Sequence, residues 1–386
     1  MSIFFSYEGE APPSTLVIDP PIAPQSYTVP GGATLVSNAT QLQTELSTTT
    51  AKNIILANGT YDKSAPFTVG AAHRVWAATL GGATLTAAIN FNNSGAGPEV
   101  HGVRFNVTSS AKATNTRRNG ACLYFAGSAH GGKVEDCWFS SDRNVGVGID
   151  FIAFNGAEIH RVVIDGFLAN GIMVNNWPTS TIANPPTWIT DCDISNIQHT
   201  SSQNGTSEFG INSGTTGLYE RIRCRNCRWS GIVPNVVCNN STFRHIHITG
   251  STASAAFYFE HDCPNTILEN FYVENTNTTA AINFESAQER WNCRSCGDGQ
   301  IVRNGTVVSP KLGANVSWCN ANVLIENVKF IGQCACAIAH PSGSQNSPEG
   351  CCGFITTNVF QNNDYSEIGP DAVPILERAW NQIPSC

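Results

Sequence analysis

Charged side chains are scarce in this sequence, at 13% of 386 residues. Acidic residues outnumber basic ones by 29 to 21, for a formal net charge of −8, so the basic surface that a nucleic-acid partner requires is missing. No apolar run approaches the length of a membrane span. The opening residues, MSIFFSYEGEAPP, lack the basic region of a secretory signal peptide. We therefore expect no nucleic-acid partner, no membrane insertion and no signal peptide.

Helical periodicity is also lacking, and a six-residue pattern takes its place, apolar at places one, four and six. Successive starts of this hexamer are 24 to 34 residues apart, a period typical of solenoids whose units bury their apolar faces only by stacking. The in-out-in alternation of places four to six is that of a strand. The ten starts are Val100, Val134, Ile159, Ile189, Tyr219, Phe243, Leu268, Ile301, Ile325 and Ile355.

Tight corners and a second apolar patch complete each repeat. Two places beyond the hexamer, Gly or Asn recurs in seven turns, and these residues adopt positive φ at little cost. Patches such as GIMV at Gly171 and GIVP at Gly231 then supply another strand. An antiparallel sandwich also has many short strands, but it needs no register repeated ten times. The pattern predicts an all-β, right-handed parallel β-helix. The seven corner residues are Gly166, Asn196, Asn226, Gly250, Asn275, Gly332 and Asn362.

The two ends of the chain differ from the repeat. Residues 1–33 are rich in Pro and Gly and predict an extended arm, 34–362 the β-helix, and 363–386 a C-terminal cap or short closing helix. Ser37 or Asn38 can cap a short helix whose Leu42 and Leu46 share a face. That helix followed by I-x-L-x-x-GTY resembles the entry of the pectate-lyase-like superfamily of right-handed β-helices. The resemblance implies a capping helix over the open end of the core.

A column of carboxylates is the first candidate site. When the second strands are aligned on Ile172, Ile232, Phe257 and Ile282, the residues three places on form one column. Two carboxylates on neighbouring turns would stand about 5 Å apart, which raises the pKa of one and suits acid–base or nucleophilic work on a glycoside. A solvated edge paired with Arg290 is the alternative. The column reads Asn175, Asn235, Glu260, Glu285.

The cluster FYFEHD surrounds the first of these carboxylates. Tyr258 and His261 are candidates to orient or act on a sugar beside Glu260, and Asp262 is a candidate substrate ligand. The cluster resembles the tyrosine–acid–histidine signature of alginate epimerases and lyases, although it lacks that signature's glycine and proline. The resemblance implies those catalytic roles for Tyr258, Glu260 and His261.

A second constellation is basic. Hexamer places three and five give Arg221 and Arg223 on one turn and His245 and His247 on the next. Such a group can bind an acidic sugar, with affinity that falls with salt and rises below about pH 6.5 as histidine protonates. Cross-turn pairing with Glu220 and Glu269 is an equally good explanation.

The fifteen cysteines allow several arrangements. Cys238 and Cys263 each lie five residues before a hexamer start, which suits a disulfide between neighbouring turns. The CxxC pairs at Cys224 and Cys293 could bind zinc, but no His completes a recognised pattern, and buried thiols fit better. The sequence contains no P-loop, nucleophile elbow or HExxH, so we expect neither a metal nor a cofactor.

These observations favour a β-helix that engages polysaccharide. With no signal peptide and a Pro-rich arm, we interpret it as virion-attached, a phage tailspike or surface fibre, with virion or extracellular localisation and with virion proteins and a homotrimer as further partners. A free secreted polysaccharide lyase or glycoside hydrolase is the first alternative. A structural or decoration protein without catalysis is the second, so whether the chain is an enzyme stays open.

Overall fold

The chain forms a single stack of parallel coils. The computed structural model describes residues 18–92, 94–114, 119–127, 129–152, 156–175, 186–198, 208–235, 238–260, 263–277, 279–284, 299–316, 322–340 and 358–377. Within these segments each strand of one coil pairs in parallel with the equivalent strand of the next coil. The predicted all-β parallel β-helix is confirmed.

Two sheets run the length of the stack. In the described residues, sheet A contains 18 strands: β1 (Thr34–Val36), β2 (Asn53–Leu56), β3 (Gly59–Tyr61), β5 (Arg74–Ala77), β6 (Ala83–Leu85), β8 (Glu99–His101), β9 (Arg104–Val107), β11 (Lys133–Glu135), β12 (Trp138–Ser141), β14 (Glu158–Asp165), β16 (Thr187–Ser195), β18 (Gly217–Arg225), β20 (Thr242–Ser251), β22 (Ile267–Asn275), β24 (Ile301–Val308), β26 (Leu324–Ile331), β28 (Val359–Gln361) and β29 (Asp364–Glu367).

Sheet B is formed by the second strand of each coil. Across the described residues its 12 strands are β4 (Phe67–Thr68), β7 (Ile89–Asn92), β10 (Ala121–Ala126), β13 (Val147–Ile152), β15 (Asn170–Asn175), β17 (Phe209–Gly214), β19 (Ser230–Pro234), β21 (Phe257–Phe259), β23 (Ala280–Phe284), β25 (Leu312–Val316), β27 (Cys336–His340) and β30 (Val373–Glu377). Sheets A and B enclose the apolar core between them.

The hexamer register is confirmed for eight of its ten starts and corrected for two. Ile159, Ile189, Phe243, Leu268 and Ile325 are buried in one column, as expected. Leu268 pairs with Val302, however, so that hexamer begins one residue later than Ile301. The last begins at Phe360, the partner of Ile325, and not at Ile355. Ile301 and Val302 are adjacent apolar residues, which the letter pattern alone does not distinguish, and Ile355 lies outside the described residues.

Place three of the hexamer is a corner that the sequence pattern did not reveal. At this place the backbone adopts φ of 51° to 69°, which interrupts the extended conformation of the hexamer. Gly and Asn enter this region easily, whereas Arg and His do so at a cost of about 1–2 kcal/mol. The corner residues in order are Gly102, Asp136, Arg161, Asp191, Arg221, His245, Asn270, Asn304, Asn327 and Asn362.

A short helix covers the first coil, as the resemblance implied. Helix α1 (Ala39–Leu46) begins after Asn38, whose side chain accepts a hydrogen bond from the Gln41 amide at 2.9 Å. Leu42 and Leu46 are fully buried against the core. The apolar face of this helix therefore shields the end of the stack from water.

The other end closes differently from the expected helix. Val373–Glu377 is strand β30, which pairs with β27, so the coils continue beyond residue 362 and the closing helix is wrong for these residues. The expected bridge between Cys238 and Cys263 is also wrong, since both are buried thiols outside any disulfide. Their sulfurs donate instead to Ser241 Oγ at 3.4 Å and to the Glu260 carbonyl at 3.1 Å.

Core side chains at equivalent places of successive coils stack in columns. A large side chain in such a column needs the space that a small residue of the next coil leaves. Phe271 is fully buried between Ile246 and Gly305, its partners on either side. A Cβ at Gly305 would overlap the Phe271 ring. Gly305 therefore leaves the space that the aromatic ring occupies.

A double-mutant cycle tests this packing. Phe271→Ala should lower the free energy of unfolding by about 3–5 kcal/mol, because it leaves a cavity. Gly305→Ala should cost about 1–3 kcal/mol through overpacking. In the Phe271→Ala background the added methyl should cost nothing or recover stability. Gly31→Ala, at a site with open space, is the control. Additive costs in denaturant unfolding would contradict the predicted contact.

Candidate functional site

The outer face of sheet B carries a column of polar and aromatic side chains. Tyr258, Asn283 and Asn315 are register partners on three successive coils. The Asn315 amide donates to Asn283 Oδ1 at 2.6 Å, while the residues on either side of Tyr258 face the core. Amides and a phenol repeated at one strand spacing offer donors, acceptors and an aromatic face along the stack.

The carboxylate column lies two places further along the same strands. The alignment on Ile172, Ile232, Phe257 and Ile282 is confirmed, with Ile211 as a fifth member between the first two. That extra coil adds Gly214 to the column, between Asn175 and Asn235. Phe259 pairs with Phe284, the last described residue before Glu285. Glu285 itself lies outside the described residues, and so do His261 and Asp262.

Glu260 follows strand β21 directly. Its amide donates to the Pro234 carbonyl at 2.9 Å, and its carbonyl accepts from Cys263 Sγ at 3.1 Å, so the backbone on which this side chain stands is fixed at both ends. Glu260 and Tyr258 are both half-buried. The structure thus places these two predicted residues on one strand end.

Buried polar residues on earlier coils of this face were missed by the sequence analysis. Asp150 and Asn212 occupy the same outward position as Tyr258, and each is at most 1% exposed. Glu208, just before β17, is equally buried and accepts from Arg228 Nη1 at 3.0 Å. Aligning the second strands one place after their leading apolar residue would have found Asp150 and Asn212.

The basic constellation is a set of ion pairs between coils. Arg221 donates to both oxygens of Asp191, at 2.6 and 3.0 Å. Arg223 makes the same paired contact with Asp193, which Arg225 also reaches at 3.1 Å. Arg244 lies 2.7 Å from Glu220, as the pairing alternative expected, whereas Glu269 pairs with Arg303. These arginines are neutralised by the fold, and their role in binding an acidic sugar stays a prediction.

The two histidines have separate environments. His245 Nδ1 accepts a hydrogen bond from the Asp19 amide at 3.2 Å. His247 contacts the Tyr272 ring edge-on, with centroids 5.1 Å apart. Burial, with the charges of Arg223 and Arg225 nearby, lowers the pKa of His247 below its ordinary value. Protonation of His247 therefore requires a pH lower than the 6.5 assumed from its residue type.

The cysteines, metal-ligating side chains and helices of the described residues bear on metal binding and on membrane insertion. Cys224 and Cys227 are buried thiols, and burial together with the Cys227 sulfur raises the pKa of Cys224 well above its ordinary value, which disfavours a thiolate ligand. No group of three metal-ligating side chains occurs among the described residues. None of the helices described there is long and apolar enough to span a bilayer.

Comparison with known proteins gives a fold but no family. No family model matches the sequence, and no curated protein matches it. The complex structure of the alginate lyase AlyF-OU02 gives a TM-score of 0.52 at 10% identity, over 89% of this chain and 85% of that chain. The Azotobacter vinelandii mannuronan C-5 epimerase AlgE4 A-module gives a TM-score of 0.44 at 10% identity, over 88% of this chain and 97% of that chain. The GH87 α-1,3-glucanase catalytic domain in complex with nigerose gives a TM-score of 0.47 at 12% identity, over 94% of this chain and 68% of that chain. At these identities the similarity defines the parallel β-helix alone.

The ion pairs predict a specific acid sensitivity. Burial would raise the pKa of Asp191, but hydrogen bonds from Arg221 and the Ile22 amide lower it below its ordinary value. The lowered pKa stabilises the fold above the unfolded aspartate pKa of about 3.9, and this contribution is lost as pH falls through the folded value. Arg221→Gln should cost about 1–3 kcal/mol at pH 7 and shift acid unfolding to higher pH.

Denaturant unfolding across pH 2–7 measures this effect, with the exposed Arg143→Gln as the matched control. An unchanged acid midpoint in Arg221→Gln would show that the pair does not set the Asp191 pKa.

Proposed function

We propose that this protein binds a polysaccharide along the outer face of sheet B. The observation that carries this proposal is the register of Tyr258, Asn283 and Asn315, which aligns their side chains with Glu260 at the strand end. A linear glycan presents hydroxyl groups at a regular repeat, and a column of amides with an aromatic ring supplies matching hydrogen bonds and an apolar surface. The fold shared with an alginate lyase supports a polysaccharide ligand over other classes.

We further propose that Glu260 and Glu285 act on the bound glycan as a carboxylate pair. Phe259 pairs with Phe284, and we expect the residues that follow them, Glu260 and Glu285, to stand one strand spacing apart, about 5 Å. Two carboxylates so close cannot both ionise easily, so one is held as the acid and the other as the base or nucleophile. That spacing suits a retaining glycoside hydrolase. In a lyase, Tyr258 and His261 would instead exchange protons at a uronate ring, the role implied by the FYFEHD resemblance.

The virion interpretation rested on the arm as an anchor. Arm residues Asp19, Ile22 and Gln25 instead bond to the chain's own coils, so this segment gives no support for attachment to another structure. A tailspike, its homotrimer and a virion or extracellular location stay predictions. The free secreted polysaccharide enzyme is the form of the proposal that the fold favours.

Substitution of one carboxylate tests the catalytic proposal. Glu260→Gln should lower depolymerisation of the cognate glycan by about 10²–10⁴-fold while leaving binding intact, because it removes only the proton transfer. Glu326→Gln on sheet A, which keeps its oxygen for Gln361, is the matched control. Glycan arrays followed by chain-length analysis provide the measurement. A protein that binds glycan but never shortens it would support the non-catalytic alternative.

The binding site can be located independently of catalysis. Asn283→Ala with Asn315→Ala should weaken glycan binding by about tenfold or more, since each loses direct hydrogen bonds. Arg223→Ala with His247→Ala tests the other surface, where glycan binding should fall with salt and strengthen only below pH 6.5. If only the variant with Arg223→Ala and His247→Ala loses affinity for glycan, the binding site lies on the ion-paired face of sheet A and not on sheet B.

A further inference from the structure

The described part of the arm lies along the corner column on the outside of sheet A. Its residues 18–30 form neither helix nor strand, and their backbone amides bond to corner side chains of the coils. Gln25 N–H donates to Asp136 Oδ1 at 2.7 Å, Ile22 N–H to Asp191 Oδ1 at 3.0 Å, and Asp19 N–H to His245 Nδ1 at 3.2 Å. Followed from Asp19 to Tyr27, the arm therefore runs along the stack toward the end that helix α1 covers.

The arm and the column share a repeat length. The three donors are three residues apart, and their acceptors are two coils apart, since Arg161 and Arg221 occupy the coils between them. Two coils span about 9.6 Å at the strand spacing. Three residues of polyproline II chain span about 9.3 Å. An extended chain of this type can therefore repeat the same contact along the column without losing register.

Proline positions in the arm agree with this register. Proline has no N–H and fixes φ near the polyproline II value. Pro20, Pro21 and Pro24 lie between the donors, so the arm keeps an N–H at the three places where the column offers an acceptor.

The corner residues change character beyond His245, the last corner that the described part of the arm contacts. Beneath the arm they alternate as Asp136, Arg161, Asp191 and Arg221, and each Arg donates twice to the preceding Asp. Carboxylates have lone pairs enough to accept from an arginine and from an arm amide together. Beyond His245 the corner residues are asparagines, and Asn327 donates to Asn304 at 3.3 Å. The charged alternation thus has the same two-coil period as the arm contacts.

A tyrosine fixes the start of the register. Tyr27 Oη donates to the Ala77 carbonyl at 2.8 Å, and its ring meets Trp76 edge-on at 5.6 Å. A Cβ at Gly102, the first corner residue of the column, would overlap the Tyr27 side chain. Glycine at this corner therefore leaves room for the tyrosine as well as permitting positive φ.

We propose that the corner column from Gly102 to His245 is a binding site for an extended proline-rich peptide. The site selects a backbone N–H at every third residue, with proline accepted between, and its resident ligand is the chain's own arm. In the described arm residues 18–30, a few hydrogen bonds, the Asp19–His245 contact and Tyr27 act against the entropy of ordering the segment. The arm therefore exchanges on and off the column, and a peptide of the same spacing can occupy the site when the arm is released.

Hydrogen exchange on the intact protein tests the spacing. Residue-resolved exchange should show the Ile22 and Gln25 amides about tenfold or more slower than the Ala23 and Ser26 amides. Equal rates at all four positions would overturn the proposed register. This measurement needs no variant, so it stands even if a substitution disturbs folding.

Peptide binding tests the site itself. Ile22→Pro with Gln25→Pro removes two donors from the arm but keeps its extended conformation, whereas Ala23→Pro with Ser26→Pro removes none of the observed contacts. A labelled peptide of residues 18–30 should bind the first variant about tenfold or more tightly than it binds the second or the unaltered protein. Fluorescence anisotropy measures this, with circular dichroism to show that each variant is folded.

The same labelled peptide carrying both donor-site prolines is the specificity control, and it should not bind. Equal binding to all three proteins, or none to any, would show that the column is not an exchangeable peptide site. Glycan binding on sheet B plays no part in either readout, so failure here is distinct from failure of the proposed function.

Discussion

The in-register hydrogen bonding between neighbouring coils is the constraint on which the rest of the structure depends. Once Ile159 pairs with Ile189 and that residue with Tyr219, every other position of those coils is aligned as well. Side chains that lie far apart in the sequence become neighbours at one strand spacing. Core columns, the corner column and the polar face of sheet B are all consequences of this single alignment.

The same alignment explains how charged side chains pair between coils in a chain where charged residues are only 13% of the total. An isolated surface ion pair contributes little, because its partners must be ordered for each other. Here the backbone has already fixed Arg221 and Asp191 on adjacent coils, and the carboxylate is 3% exposed. The pairs then help to offset the cost of holding an arginine in the left-handed region at the corner.

Much of the fold could be predicted from the sequence, because solenoid packing repeats the same residue classes at the same places. The capping helix with Leu42 and Leu46 followed from its cap residue and spacing, and the column leading to Glu260 followed from the apolar register. The corner at place three could not be found in this way. Its occupants range from Gly to Asp, Arg and His, and only backbone geometry unites them. The docking of the arm was equally hidden, since three of its contacts are made by backbone amides, which every residue but proline carries.

The two-coil period of the corner limits how this solenoid can change in length. Removal of one coil between Asp136 and Arg221 would bring two aspartates or two arginines into contact and leave the arm without an acceptor at its next step. Removal of two coils would restore both the charge alternation and the spacing. Between Asp136 and His245 the stack can therefore keep both patterns only if coils are added or removed in pairs, whereas the coils with asparagine corners carry no such rule.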